Sequence, residues 1–408
     1  TPYIVRNYEV CYLKLEMVDH QDNITKTPPL NEMYLSSIAK ESGHETKIFD
    51  ANIGNLSKEE TLEKLKDYEA DVVVCSSDIF NILSNLDWLK YIKNNIDIIS
   101  VISGKSVYFY PKEIIDKEYI DYGILGSKKS FGKLLKTLDE KTNNLKLIKG
   151  ICYKNSKSYE INWPDEKDLC SLSDLPWPDR DNVDNSKYSL PHYRESGYTQ
   201  ILKSDGCIHN CNFCDMPNFK YDERSAKDVF DEVKNCVEKY NIRKIDFIDR
   251  DFLINKKRAR KLCRKIIKDD LNIEWVCLTR TDKVDEKTLK LMKEAGCWLI
   301  WYGFESGNQK VLDNLNKNIS IEQGIKAVRE TKKCGIKAGG FFIIGNPGEG
   351  KGEIKDTIDY SKKLDLDYAH YYKMTGKPGS KLYERIKEKN YDYYMKMITE
   401  ESMDFDMD

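Results

Sequence analysis

No apolar run in this sequence approaches the roughly 20 residues that a bilayer-spanning helix needs. The N-terminus TPYIVRNYEV has no basic start followed by an apolar core. Neither a membrane span nor a secretory leader is expected, and we expect a cytoplasmic protein. Charge of one sign is missing too: 66 Lys and Arg stand against 68 Asp and Glu, with no one-signed stretch of domain size. That leaves no footprint for nucleic acid or an anionic membrane surface. There is no internal repeat at solenoid spacing and no low-complexity tract, although Lys, Asn, Ile and Asp are abundant. What the chain has is length: 408 residues exceed a typical single core, so two domains and a linker are expected.

The 12 cysteines are an even number, as a disulfide framework would need, but most are scattered singly along a long chain, which suits reduced thiols. Cys11, Cys75, Cys152, Cys170, Cys236, Cys263, Cys277, Cys297 and Cys334 lie in apolar strand-like or helical settings, where a small buried hydrophobe is the ordinary use.

Residues 1–138 alternate β-branched runs with helical stretches. EVCYLKLEMV, HETKIFD, ADVVVCSS, IDIISVIS and YIDYGILG are each followed by a segment of helical period, which predicts five βα units in a doubly wound parallel sheet. Ligands on such sheets sit at the carboxyl ends of strands, here the loops after Val18, Ser76, Ser103 and Gly126. Residues 139–197, with a hairpin predicted around KGICYKNSKSYEIN and the proline-punctuated SDLPWPDRDN, read as a linker. Residues 198–384 resume the alternation with TQILKSD, IRKIDFID, IEWVCLTR, CWLIWYGFES, IKAGGFFIIG and YAHYYKMT, separated by amphipathic helical segments. Six βα units predict a partial parallel barrel whose chemistry sits at the carboxyl ends of its strands. Residues 385–408 form an acidic, aromatic tail, expected to be a cap or a mobile end.

The remaining cysteines, Cys207, Cys211 and Cys214, follow the first barrel strand in SDGCIHNCNFCDMP with spacing Cys-x3-Cys-x2-Cys. Iron–sulfur clusters are held by thiolates, and a four-iron cube given three of them keeps one iron open for chemistry. Structural zinc would need His209 or Asp215 to close a fourth position. Three cysteines so close cannot all pair as disulfides. An electron-transfer cluster would want a fourth cysteine from elsewhere.

Cys-x3-Cys-x-aromatic-Cys after the first strand of a six-unit βα barrel, with Phe213 as the aromatic, resembles the radical S-adenosylmethionine (radical SAM) superfamily. The resemblance implies a [4Fe–4S] cluster on Cys207, Cys211 and Cys214. Its open iron would chelate the amino and carboxylate groups of SAM, and reductive cleavage would release a 5′-deoxyadenosyl radical that abstracts hydrogen from substrate. An electron donor such as flavodoxin or ferredoxin is implied as well. A zwitterionic amino acid at a barrel mouth needs a cation, an anion and polar partners. Strand ends offer them in segments that match the family: Asp249 in FID, Arg280 in LTR, Glu305 and Ser306 in ESG, and Gly345 in IIGNPGE. SAM contacts are therefore expected from Phe213, Asp249, Arg280, Glu305, Ser306 and Gly345, although each also suits a solvated strand end or a helix cap. Arg250 departs from the pattern, standing where many relatives carry a second acidic residue. Trp301, Tyr302, Tyr368, His370, Tyr371 and Tyr372 are read as lying on two adjacent strands with about half facing outward. Core packing is the commoner use of such residues.

A doubly wound domain, a linker with LPWPDRD and then a barrel resembles the cobalamin-dependent radical SAM subfamily, whose N-terminal domain places a corrinoid over the barrel mouth. PPLNEMYLSSIAKESGHETKIFDA, ADVVVCSS and PWPDRDN carry this second resemblance. The implied fold is α/β, a cobalamin-binding-like Rossmann sheet followed by a partial (β/α)6 radical SAM barrel. The implied cobalamin contacts are Ser76, Ser77, Ser103, Gly104 and Gly126. No Asp-x-His-x-x-Gly supplies a lower axial histidine, and His44 is read as packing. The usual paired glycine after the fourth strand is replaced by Ser103-Gly104, and the Gly-Glu-Gly-Glu-like turn after the fifth by Gly126-Ser127-Lys128-Lys129. The expected activity is methylation of an unactivated carbon in a small-molecule or peptide substrate. The alternatives are a radical rearrangement, cyclisation or dehydrogenation without methyl transfer, and a non-catalytic iron–sulfur redox protein. A methylthiotransferase would carry three cluster cysteines in its N-terminal domain, whereas only Cys11 and Cys75 precede residue 150 here.

Overall fold

The computed structural model describes residues 9–14, 26–126, 128–140, 144–155, 158–165, 171–190, 197–389 and 393–400. The loop after Val18, Ser127, Cys170 and the side chain of Cys11 lie outside the described residues. The chain divides into two compact units, one formed by Thr1–Arg194 with Asn390–Asp408 and the other by Glu195–Lys389.

In the first unit the strands are β1 (Glu9–Lys14), β2 (Glu45–Asp50), β3 (Val72–Ser76), β4 (Ile99–Ser103), β5 (Tyr122–Ile124), β6 (Ile151–Lys154) and β7 (Tyr159–Asn162). They form one sheet in the order β2-β1-β3-β4-β5-β6-β7, with β1 to β5 parallel and the last two antiparallel. This is the doubly wound arrangement expected from the alternating pattern. The central strand β3 is apolar up to its last residue because both its faces are covered: Val72, Val73, Val74 and Cys75 are fully buried, and only Ser76 at its carboxyl end is polar. The hairpin expected in the linker instead extends the sheet. β5 is only three residues long, and β6 pairs the backbone groups that its outer edge would otherwise leave open.

The proline-punctuated segment also belongs to this unit. The Asp179 carboxylate accepts the Ser36 hydroxyl at 2.6 Å and pairs with Lys40 at 2.8 Å, while its backbone N–H donates to the Met33 carbonyl at 3.0 Å. These bonds strap residues 177–182 to the helix Leu30–Glu41. Part of the tail is ordered as the helix Tyr393–Glu400, whose Ile398 is buried.

The second unit contains β8 (Tyr198–Ile201), the two-residue strands β9 (Ser204–Asp205) and β10 (Asp222–Glu223), then β11 (Lys244–Phe247), β12 (Glu274–Thr279), β13 (Cys297–Glu305), β14 (Lys337–Ile344) and β15 (Tyr368–Lys373). Six of these run parallel in the order β15-β14-β13-β12-β11-β8, the partial (β/α)6 barrel. Its helices include Ala226–Tyr240, Lys256–Lys268, Glu286–Glu294, Ile321–Lys333 and Lys351–Lys363. Side chains of Ser225, Asn255, Asp285 and Ser320 accept the free N–H groups that open the first four.

Ile201, Ile245, Phe247, Trp275, Cys277, Ile300, Tyr302, Phe304, Ala338 and Phe342 pack together under the helices. Because neighbouring strand residues point to opposite faces, Gln200, Asp246, Val276, Leu278, Trp301, Gly303 and Phe341 occupy the inner face. Among the described residues no helix is long and apolar enough to cross a membrane.

Candidate functional site

The three-cysteine loop follows β8, with Cys211 buried and Cys207 and Cys214 partly exposed. Cys75, Cys152, Cys236, Cys263, Cys277 and Cys297 are free and buried elsewhere, and Cys334 is free and partly exposed. The loop is pinned by other parts of its own unit. Asn212 donates its N–H to the Leu315 carbonyl at 2.9 Å and its side-chain amide to the Asn314 carbonyl at 2.8 Å. Asn316 donates to the Asn210 carbonyl at 2.6 Å, and the Leu382 N–H to the Asn212 carbonyl at 2.8 Å.

Burial pushes the Cys211 and Cys214 thiols up, and at Cys211 the charges of Lys317 and Arg280 oppose the effect. Such thiols ionise when a metal takes them. Among the described residues no group of three or more His, Cys, Asp or Glu converges on a single metal ion. Three ligands of a four-iron cube need no such convergence, since each takes a separate iron. Of the residues considered for closing a zinc site, His209 Nε2 lies 3.6 Å from Asp251 Oδ2, and Asp215 is buried beside Cys214, whose thiol its charge raises.

Beside the loop lies a charged group centred on Lys317, a residue that sequence reasoning did not single out. Its Nζ is 2.6 Å from Glu305 Oε1, both side chains are 9% exposed, and it lies 5.7 Å from the centre of the Phe213 ring. Burial works to lower the Lys317 ammonium, but Glu305 and Cys211 outweigh it and raise it above the ordinary lysine range. The local backbone is shaped for this pair. Glu305 adopts a left-handed conformation at φ 64°, which non-glycine residues enter at a cost. At Gly303 a Cβ would fall 2.5 Å from Glu305 Oε1 and 2.9 Å from Lys317 Nζ, so a larger residue there would displace the pair. Asn316 and Asn318, on either side of Lys317, are left-handed as well. Asn316 holds the cysteine loop, and the Asn318 carbonyl accepts Arg280 Nη2 at 3.2 Å. Arg280 Nε is fixed by Asp282 at 2.9 Å. One turn thus brings Phe213, Arg280 and Glu305 together with Cys211.

The other expected contacts lie on neighbouring strand ends. Asp249 is buried against Lys203 Nζ at 3.5 Å and accepts the Ser204 hydroxyl. Burial pushes its carboxyl up against the pull of Lys203, and its Oδ2 has no hydrogen-bond partner among the described residues. Asp251, one residue beyond the atypical Arg250, accepts Thr279 Oγ1 at 2.5 Å and the Leu253 N–H at 3.2 Å. Although burial opposes it, these bonds and His209 hold the Asp251 carboxyl below its usual range. Gly345 opens a turn in which its own N–H and that of Asn346 donate to Glu349 Oε2 at 2.6 and 2.9 Å. Asn346 Oδ1 and Glu349 Oε1 are buried there without partners among the described residues. The Ser306 hydroxyl is engaged by Thr357 at 3.0 Å and by the Asn308 N–H at 3.2 Å, on the helix side of the strand end.

The aromatic residues need a correction: β13 and β15 are not adjacent, because β14 lies between them. Tyr302 and Tyr371 face the helices, bonding Thr331 and Ser361. Trp301, Tyr368, His370 and Tyr372 share the opposite face with Phe341.

In the first unit, Ser76, Ser77, Ser103, Gly104 and Gly126 all lie at the carboxyl edge of the sheet. The Ser77 N–H donates to the Ser103 carbonyl at 2.7 Å, and Gly104, at φ 109°, passes so close that a Cβ would fall 2.2 Å from the Ser77 carbonyl oxygen. The Ser76 N–H donates to Glu32 Oε1 at 3.0 Å, while the Ser76 hydroxyl is buried without a partner among the described residues. An unpaired buried hydroxyl at the ligand edge of a doubly wound sheet fits a bound group with polar substituents. His44 is buried 3.4 Å from Asp139, and burial lowers its pKa, as expected of a packing histidine.

Comparison with known proteins bears on both units. The Radical SAM superfamily model matches residues 201–361, and the B12 binding domain model matches residues 25–132. An uncharacterized methyltransferase of Pyrococcus horikoshii is 32% identical over 367 residues, covering 88% of this chain and 78% of that protein. The anaerobic magnesium-protoporphyrin IX monomethyl ester cyclase of Rubrivivax gelatinosus is 27% identical, over 89% of this chain and 67% of its own length. Among solved structures, the radical SAM methyltransferase TsrM from Kitasatospora setae, with cobalamin and a [4Fe–4S] cluster bound, has the same fold. Its TM-score is 0.79 at 18% identity, over 94% of this chain and 78% of that one.

Proposed function

Because the chain belongs to the radical SAM superfamily, in the branch that joins a B12-binding domain to the barrel, we propose that it methylates an unactivated carbon of a small-molecule or peptide substrate. It is an enzyme whose cofactors are a [4Fe–4S] cluster, SAM and cobalamin. The observation that carries the reading is the joining of a three-thiol loop and a buried Glu305–Lys317 pair in a chain that also has a B12-binding domain.

When bound, these groups supply the electron that splits SAM into methionine and a 5′-deoxyadenosyl radical, and the carrier for the methyl group. The chain's residues bind and orient. Cys207, Cys211 and Cys214 ligate the cluster. Glu305 and Lys317 neutralise each other, and they would meet the methionine moiety of SAM, Glu305 accepting from its amino group and Lys317 donating to its carboxylate. Arg280, held by Asp282 and Asn318, adds a fixed cation, and Phe213 closes the apolar side. The unpaired oxygens of Asp249, Asn346 and Glu349 suit the ribose and adenine donors, and the Gly345 turn gives the backbone access to the base. Ser306 supports this rim through Thr357. Ser76, Ser77, Ser103, Gly104 and Gly126 would border cobalamin, Ser76 through its unpaired hydroxyl. A low-potential donor such as flavodoxin or ferredoxin in the cytoplasm would reduce the cluster.

With SAM, a strong reductant and a methyl-accepting substrate, the enzyme is expected to yield S-adenosylhomocysteine together with 5′-deoxyadenosine, read by mass spectrometry. Deoxyadenosine without S-adenosylhomocysteine would replace methylation by a rearrangement, cyclisation or dehydrogenation.

A further inference from the structure

The inner face of the barrel carries a wall of rings that the cofactor contacts do not use. Trp301 of β13 stacks on Phe341 of β14, with centroids 4.9 Å apart and planes 14° from parallel. His370 of β15 meets Trp301 edge-on at 5.0 Å and lies nearly parallel to Tyr372 at 6.4 Å. The indole packs against Gly339 of β14, where a Cβ would come within 2.3 Å of its ring. The series runs along the strands toward their carboxyl ends, where Glu305 closes β13.

Rings that serve only as core are covered by a second layer. Here His370 is exposed and Tyr372 remains 53% exposed, so the wall is not closed over on the β15 side. On the same inner face, two strands from β13, Asp246 of β11 stands in register with Gln200 of β8. Burial lifts its carboxyl to about 7, so it can accept or donate a proton near neutrality. The inner face is therefore divided in chemistry, with aromatic rings on β13 to β15 and hydrogen-bonding groups on β8 and β11.

We infer that this face is the substrate site and takes a planar aromatic ring system, stacked on Trp301, Phe341, His370 and Tyr372 with a polar substituent served by Asp246 and Gln200. An aliphatic chain would gain only buried area from such a wall, whereas a flat ring gains from the ring quadrupoles too. Assigning the site to the substrate rests on the radical methylation reading; its preference for flat rings does not.

The test uses the full chain with its cluster reconstituted without oxygen, in the presence of SAM, titrated with 2-naphthol and with decahydro-2-naphthol, the saturated counterpart. The saturated molecule is the more hydrophobic, so apolar burial alone would favour it. The wall predicts that 2-naphthol binds at least about tenfold more tightly. It also predicts that Phe341→Leu and Tyr372→Leu each weaken 2-naphthol at least about fivefold and leave SAM affinity within about twofold. The exposure of Tyr372 makes its variant the safeguard should Phe341→Leu fail to fold. Equal or tighter binding of decahydro-2-naphthol, or 2-naphthol binding unchanged by Tyr372→Leu, would overturn the site. Failure of the cofactor reading looks different: wild-type protein that binds no SAM yet still prefers 2-naphthol.

Discussion

Cys211→Ala protein, reconstituted with iron and sulfide, is expected to hold no stable [4Fe–4S] cluster and to release no 5′-deoxyadenosine above background. Cys211 is 8% exposed in a loop fixed through Asn210 and Asn212, so removing its sulfur leaves the scaffold standing. A small buried truncation costs stability on the order of 1 kcal/mol, far too little to unfold a domain. The loss therefore reports ligation rather than folding. Cys263→Ala is the control: Cys263 is buried too, at 1% exposed, but it packs among the helices and strands of the core. That variant is expected to keep its cluster and its SAM cleavage at a similar cost in stability. Retained cleavage in Cys211→Ala would contradict the assignment of the motif.

The second large effect is expected at Lys317. Lys317→Met leaves the Glu305 carboxylate buried without its partner at 2.6 Å, and stranding one member of a buried pair costs about 3–5 kcal/mol. SAM affinity should fall as well, by about 10- to 150-fold for one charge-assisted contact worth about 1.5–3 kcal/mol. The double variant Lys317→Met/Glu305→Gln separates the two effects. It should recover most of the stability, since no charge is stranded, and should bind SAM no better than the single variant. Chemical denaturation and equilibrium binding of SAM read the two quantities independently. Recovery of SAM affinity in the double variant would mean that the pair is structural only.

Both folds were legible because their patterns are local. Parallel central strands such as VVVCS carry continuous apolar runs, helices carry the 3.6-residue period, and three cysteines within eight residues make a cluster motif without reference to the rest of the chain. Long-range groups were not legible. Lys317 is one lysine among many in a connecting loop, and nothing near it in sequence shows that folding will bury it on Glu305 and Phe213. Lys203 and Asp251 are hidden for the same reason: their partners Asp249, Thr279 and His209 are set by strand pairing. The hairpin and the PWPDRDN segment looked like linker because turns and prolines mark irregular chain. Their attachment depends on edge pairing with β5 and on the Asp179 contacts with Ser36 and Lys40. The two aromatic strands are not neighbours, because each βα unit adds its strand beside the last and β14 therefore lies between β13 and β15, although the rings of Trp301 and His370 still meet across it.

The metals that the purified protein carries test the cobalamin-dependent reading most directly. Protein made without oxygen in cells supplied with cobalamin, with its cluster reconstituted, is expected to contain about four irons and about one cobalt per chain, with a corrinoid visible in its absorption spectrum. Iron without cobalt under those conditions would contradict the cobalamin-dependent reading and leave a radical enzyme that uses SAM alone.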